Sequence, residues 1–152
     1  MSYDALKRGR DILIAAVSAS GFDTILATVC TEHSVTAPAP RAVYRADEAR
    51  PMYPNVEVTP PRGSLESLSH GSITTVAEYW LIANIQGADP LWNDDACMAY
   101  CTALVRLATD IHGDGYDSEP VEFDFAPPVF TDDTQQKRSA GVLVRLTFAE
   151  GL

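Results

Sequence analysis

The cysteines and histidines of this chain are the residues whose spacing could support metal or thiol chemistry. Cys30-x-x-His33 and Cys97-x-x-x-Cys101 supply ligand types that zinc accepts. Cys97 and Cys101, however, share one predicted helical face with Leu104, and a buried free cysteine packs as a small hydrophobic side chain. We therefore interpret the thiols as core residues. Their odd number and a reducing compartment argue against a structural disulfide.

A second candidate is the segment 110–115, which reads Asp-Ile-His-Gly-Asp-Gly and resembles the first half of a calcium-binding loop. The twelfth position, where an EF-hand has a bidentate glutamate, is Val121. The sequence has no G-x-S-x-G elbow, phosphate-binding glycine loop or HExxH motif. These observations predict no catalytic residue, no metal site and no cofactor, and they indicate a protein that is not an enzyme.

The charge of the chain is concentrated in one region. The net charge of the 152 residues is −10, and residues 89–133 hold eleven acidic side chains against one basic side chain, Arg106. Such a surface repels nucleic acid, because DNA binding requires lysine and arginine at the phosphates. A solvated acidic face is the simpler interpretation. Asp4 and Asp11 argue against a signal peptide, and no segment has the length of a membrane span, so we expect a cytosolic protein.

Hydrophobic periodicity predicts three helices and five strands. We expect helices at 3–20, about 23–33 and 91–111, and strands at 41–45, 55–59, 71–86, 120–125 and 140–150. Gly21 should end the first helix, Asp23 or Thr24 should cap the second, and Asn93 or Asp94 should cap the third. This order predicts an α+β fold, a single domain over 1–152 in which helices pack on a mostly antiparallel sheet with a long central strand.

The strand predicted at 71–86 is unusually long. Sixteen extended residues span roughly 50 Å, so we expect part of this strand to project or to pair with another copy. Tyr79 and Trp80 must point to opposite faces of the sheet, and both faces are partly apolar. A two-layer monomer would leave one face exposed, which marks a subunit interface. The interface candidates on this strand are Val76, Tyr79, Trp80 and Ile82.

Several segments together resemble a known family. They are VCTE, YPNVEVTPPRGSLES, AEYWLIANIQGAD, MAYCTALVRLATD and VLVRLTFAE. In this order, and over nearly the whole chain, the sequence resembles the tail terminator, or tail completion, proteins of long-tailed bacteriophages and related gene transfer particles.

The resemblance implies a non-enzymatic virion protein, made in the host cytoplasm, that forms a hexameric ring on the end of the finished tail tube. The ring would halt tube polymerisation and offer a joining surface to the head connector, so the expected partners are other copies, the tail tube protein and the connector or neck protein. DNA would pass as cargo without being bound, and no membrane would be involved. The family has no catalytic residue to carry over.

Two further residue sets follow from this hypothesis. Polar segments at 60–70 and 131–139 are expected to be mobile tips that dock on tube or connector; the candidates are Arg62, Glu66, Asp132, Asp133, Lys137 and Arg138. An acidic lumen that repels DNA would use Asp94, Asp95, Asp114, Asp117 and Glu119. The alternatives are a neck or head-completion protein of the same particle, and an intracellular binding module or small enzyme that dimerises through the long strand.

Overall fold

The computed structural model describes residues 3–45, 52–69, 72–113, 115–130 and 134–151. Within these ranges the chain is α+β, as predicted, with the three predicted helices and a sheet of seven strands instead of five. The helices are α1 (Tyr3–Ser18), α2 (Ser20–His33) and α3 (Pro90–Asp110). The strands are β1 (Ala42–Arg45), β2 (Asn55–Val58), β3 (Arg62–Ser69), β4 (Ser72–Gly87), β5 (His112–Gly113), β6 (Tyr116–Phe130) and β7 (Gln136–Gly151).

The break between α1 and α2 lies at Ala19, whose extended backbone (φ −76°, ψ 152°) separates two helices bent by 55°. Gly21 lies inside α2, so the prediction that it ends the first helix was wrong. Asp23 and Thr24 do not cap α2 either. Asp23 lies in the first turn, where its charge suits the helix dipole. No single described helix is long and apolar enough to cross a membrane, although the bent pair of α1 and α2 passes that test on length and composition.

The N-cap of α3 lies about one turn before the predicted Asn93 or Asp94, although the helix itself begins within one residue of the prediction. Asp89 is the N-cap, and its carboxylate accepts a hydrogen bond of 3.0 Å from the backbone N–H of Leu91, with Pro90 at the first helical position. Asn93 is instead a buried side chain inside the helix. Its amide donates to the carbonyl oxygens of Gly87 at 3.0 Å and Gln136 at 3.3 Å, and so joins α3 to the ends of β4 and β7.

Strand β4 is the centre of the sheet, whose order is β1-β2-β4-β7-β6-β5 with β3 also paired to β4. All pairs are antiparallel except β1 with β2. β7 pairs with β4 from Ser72 to Gly87, so the length of β4 is matched inside one chain. The expectation that part of this strand must project or pair with another copy was therefore wrong.

The second edge of β4 is shared by two strands. β3 covers its first half and β2 covers residues 81–84, with Thr59 bridging the gap through two hydrogen bonds to the backbone of Trp80. The segment predicted as a mobile tip at 60–70 is thus mostly strand. β6 and β7 also extend well beyond the predicted 120–125 and 140–150, so the second predicted tip, at 131–139, is shorter than expected.

The hydrophobic core lies between the helices and one face of the sheet. Alternate residues of β4 and β7, including Tyr79, Leu81, Val142 and Val144, are fully buried there. The Tyr79 hydroxyl donates to the backbone oxygen of Leu6 at 2.7 Å, which ties β4 to α1. Cys97 and Cys101 are buried in this layer as free thiols, as the helical spacing predicted.

Candidate assembly surface

The sheet has a second face, which we call the outer face: the side of β2, β3, β4, β7 and β6 that points away from the helices. Because strand side chains alternate, the neighbours of the buried Tyr79 and Val144 point to this side. Val76, Trp80 and Ile82 are partly exposed there, and no described helix packs on it. The outer face is therefore the part of the molecule open to a partner.

A row of alternating charges crosses the outer face. Arg62, Glu78, Arg145 and Glu119 are directly opposite one another on β3, β4, β7 and β6. Arg145 lies 3.5 Å from the Glu78 carboxylate through Nη2 and 3.0 Å from that of Glu119 through Nη1, while Arg62 Nε lies 3.9 Å from Glu78. The row holds four strands together at one level, and opposite charges at facing positions stabilise a sheet.

Next to this row the outer face is apolar. The Trp80 indole lies over Gly141 on β7, where an added Cβ would be 3.0 Å from the ring. Leu143, opposite Trp80, is almost completely buried. Between Trp80 and β6 lies an open depression of about 240 Å³, lined by Trp80, Ile82, Asp124, Ala126, Ser139 and Gly141. Glycine at 141 is required for this close approach of the indole to the sheet.

Three amide and hydroxyl side chains form the next row. Asn84 donates to Asn55 at 2.8 Å and accepts from Ser139 at 2.6 Å, so β2, β4 and β7 are joined on the outer face. Asn55 and Asn84 are both buried. Burial of polar groups is tolerated because they bond to one another. Among the described residues, only the Nδ2 atom of Asn55 in this row has no partner.

The predicted interface residues divide between the two faces. Tyr79 is 0% exposed beneath α1, so it belongs to the core and the prediction that it lies at an interface was wrong. Trp80, Val76 and Ile82 remain available on the outer face. The polarity of the strand could not decide which aromatic would be covered, because that depends on where α1 packs.

The predicted docking residues are also separated. Arg62 is exposed on the outer face, and Lys137 lies on the same face of β7. Arg138 points to the helix side, where its Nε lies 3.0 Å from the Asp94 carboxylate at the start of α3. Asp132 and Asp133 lie outside the described residues, and so does the side chain of Glu66.

The acidic lumen candidates do not form one cluster. Asp117 and Glu119 are exposed on the outer face, whereas Asp94 and Asp95 lie in the first turns of α3, and Asp114 is outside the described residues. The outer face is nevertheless acidic. Its described side chains include six carboxylates against three cations, namely Glu57, Glu78, Asp117, Glu119, Glu122 and Asp124 against Arg62, Lys137 and Arg145.

One exposed apolar segment was missed by the sequence analysis, which treated 120–125 as half-buried. β6 carries Phe123, 63% exposed, together with the exposed Val121, Val129 and Phe130. The Phe123 and Phe125 rings meet edge to face with centroids 6.0 Å apart. The signal available in the sequence was a strand of apolar residues interrupted by Pro120, Pro127 and Pro128, which is typical of a sheet edge.

The thiols do not form a reactive site. Burial raises the pKa of Cys97 to about 12 and also raises the pKa of Cys101, so both are protonated thiols at neutral pH, and the thiol is a poor nucleophile. Among the described residues, no three histidine, cysteine or acidic side chains gather as metal ligands. A groove of about 370 Å³ between α2 and α3 reaches Asp95 and His33, but it is otherwise lined by Val29, Val35, Met98, Ala99 and Thr102.

No protein family and no curated protein matches this chain. Among solved structures, the chain is similar to one chain of a structure described as "Virion of native gene transfer agent (GTA) particle". The two share 19% identity with a TM-score of 0.40, over 70% of this chain and 79% of that chain. Likeness at this level does not by itself assign a function.

Proposed function

We propose that this protein is a structural component of a phage-like particle: a tail terminator that forms a ring at the head-proximal end of the tail tube. The observation that carries the proposal is the outer face, an acidic and partly apolar sheet surface without helical cover in the described chain. The segments that carry the family resemblance support it. They form the centre of the fold, from the end of α2 through β2, β3, β4 and α3 to β7.

The outer face suits the wall of a channel that DNA crosses. Six carboxylates against three cations give it a negative field, which repels phosphates at short range and is screened beyond about 10 Å in ordinary salt. In this arrangement the helices lie outside and the sheet lines the lumen. Of the predicted lumen residues, Asp117 and Glu119 would face the DNA, whereas Asp94 would not, because it is held by Arg138 on the helix side.

The proposed role is not enzymatic. The cysteines are buried thiols, and the depression on the outer face is shallow and lined by side chains of the sheet. The histidines His33 and His112 are exposed at element ends. These features favour an assembly protein over a binding module with an enclosed pocket, since ligand pockets are normally concave clefts that bury most of the ligand.

The experiment is a capping assay with the tail tube protein of the same particle. Labelled protein is added during tube polymerisation, and tube length and label position are measured by electron microscopy. We expect label at one end of each tube and arrested elongation. Label on isolated heads or connectors, with tubes that elongate normally, would favour the neck or head-completion alternative. Absence of label from both would contradict the proposed function.

A further inference from the structure

The strand β6 is an open edge of the sheet. One edge of β6 pairs with β7. Within the described chain, its opposite edge pairs only with β5, at Tyr116 and Asp117. From Val121 to Ala126 it has six residues without proline, so each carries a backbone N–H, and that of Phe125 donates to the Asp124 carboxylate at 2.8 Å. This stretch includes Phe123, whose exposure on an edge strand is otherwise unfavourable. This stretch, which no described strand pairs on that side, and the exposed ring both indicate a partner strand.

The other edge of the sheet lies at the same level. The register connects Ala42 of β1, through Asn55, Asn84 and Ser139, to Ala126 of β6. In the same way, the position of Val43 leads to Phe125. β1 and β6 run in opposite directions, because β1 is parallel to β2 and every further pairing between them is antiparallel. Two copies placed side by side at one height would therefore bring β6 and β1 together as antiparallel strands.

The two edges differ in charge. β6 carries the exposed acids Glu122 and Asp124, whereas β1 follows the exposed Arg41. In the register above, Asp124 is opposite Tyr44, so the difference concerns the overall charge of the edges and not a facing ion pair. Two β6 edges would repel each other, since like charges at facing positions destabilise a sheet. Pro120 and Pro127 limit pairing to the six residues between them. These features disfavour a symmetric β6 to β6 contact relative to a contact with the opposite edge of another copy.

We propose that β6 of one copy pairs with β1 of the next, with residues 123–126 antiparallel to residues 42–45. Such a contact is heterologous, and repetition without a shift along the strands has no helical rise, so it gives a closed ring where the rotation between copies divides a full turn. The proposed partner is thus a second copy of this chain, and the contact buries Phe123 beside β1. The role of the ring at a tail tube rests on the proposed function, but the contact itself does not.

Cysteine cross-linking tests the contact directly. Ala42 and Ala126 are replaced by cysteine, singly and together, and oxidised products are separated on a denaturing gel. The native cysteines are buried, so we expect little cross-linking through them. A second pair, Val43→Cys with Phe125→Cys, covers the alternation of hydrogen-bonded and non-hydrogen-bonded positions, because the Cα atoms of the two kinds of pair differ in separation by about 1 Å and the pairs differ in how easily they form a disulfide. The matched control is Ala126→Cys with Thr28→Cys, at an exposed position on α2.

We expect a ladder of covalent multimers from at least one double variant, only dimers when two single variants are mixed, and monomers from each single variant and from the control. The proposed contact would be overturned if the chain assembles but neither double variant gives more covalent multimers than the control. Covalent dimers from Ala126→Cys alone would also overturn it. A chain that is monomeric at all concentrations overturns it as well. Cross-linked rings that fail to cap tubes would instead contradict the proposed function and leave the contact standing.

Discussion

Asn93 shows how one buried amide fixes the junction of three elements. It binds the last carbonyl of β4 and the first of β7 from within α3, and the absence of a Cβ at Gly87 makes room for it, since such an atom would lie 2.6 Å from Asn93 Oδ1. A capping role was predicted for Asn93 from its residue type. Its real role depends on strand ends that are distant in sequence, so local pattern could not identify it.

Replacement of Asn93 by alanine should lower the free energy of unfolding by about 2 kcal/mol, because two buried carbonyls lose a donor. Urea denaturation measures the change. Thr102→Ala is the control: its hydroxyl only bonds to Met98 of the same helix, and it should change stability by less than about 0.5 kcal/mol. Equal stabilities of the two variants would show that the amide does not hold the junction.

Tyr79 is the second residue whose role changed between sequence and structure. Its hydroxyl is buried against α1, and burial raises its pKa to about 12, so it remains a neutral donor at physiological pH. We predict that Tyr79→Phe lowers the free energy of unfolding by about 1 kcal/mol. The native mass of the assembly should not change. If Tyr79→Phe has the stability of the unmodified protein but forms a smaller assembly, Tyr79 acts at a subunit interface and not in the core.

At the scale of elements, the charge row is what the sequence did not reveal, since its four residues are placed opposite one another only by the register of four strands. Arg145 is its centre, because it contacts both Glu78 and Glu119. Arg145→Met keeps the aliphatic stem and removes the charge. We predict a loss of about 1 kcal/mol in low salt, since the pairs are partly exposed and screened.

The matched variant for this row is Arg62→Met, at the exposed end, where the distance to Glu78 is 3.9 Å. It should cost less than about 0.5 kcal/mol. Urea denaturation in 0.05 M and 1 M salt would show the difference between the variants narrowing as salt rises. Equal effects of both variants, or no dependence on salt, would contradict an electrostatic role for the row.

The sequence predicted the elements that carry their own periodicity, and it missed those that depend on a neighbour. α3, β2 and β4 were placed within one or two residues, because apolar spacing and flanking glycine or proline define them locally. β3, with the sequence RGSLESLS, has no clear alternation and is a strand because β4 offers it an edge. The ends of β6 are likewise set by pairing with β7 instead of by its own residues.

The surface was only partly predictable for the same reason. The opposite orientation of Tyr79 and Trp80 follows from the strand period, but which of them is covered depends on α1. The acidic segment 89–133 was visible as composition, yet its members divide between α3 and the outer face. The exposure of Phe123 required the knowledge that β6 is an edge.

For the whole molecule, the lumen hypothesis predicts that affinity for DNA depends on which face carries an added positive charge more than on the net charge. Asp117→Lys with Glu57→Lys, both on the outer face and outside the proposed β6 to β1 contact, should give the assembled protein salt-dependent affinity for duplex DNA. The control is Asp23→Lys with Asp110→Lys, which changes the net charge equally but on the helix side, where both acids are exposed. This variant should gain no affinity for duplex DNA. Mobility-shift titrations at two salt concentrations measure this. Equal binding by both variants would contradict an outer face that lines the channel.

The most direct test of the account is the native mass of the unmodified protein, measured by light scattering over a dilution series in moderate salt. A chain of 16.5 kDa that closes into a ring through its two sheet edges should give one discrete species. The family resemblance implies six subunits, so we expect a mass near six times that of the chain. Dilution should convert this species into smaller ones and produce none that is larger. A mass of one or two subunits at every concentration, or a continuous distribution of larger species, would contradict the closed ring.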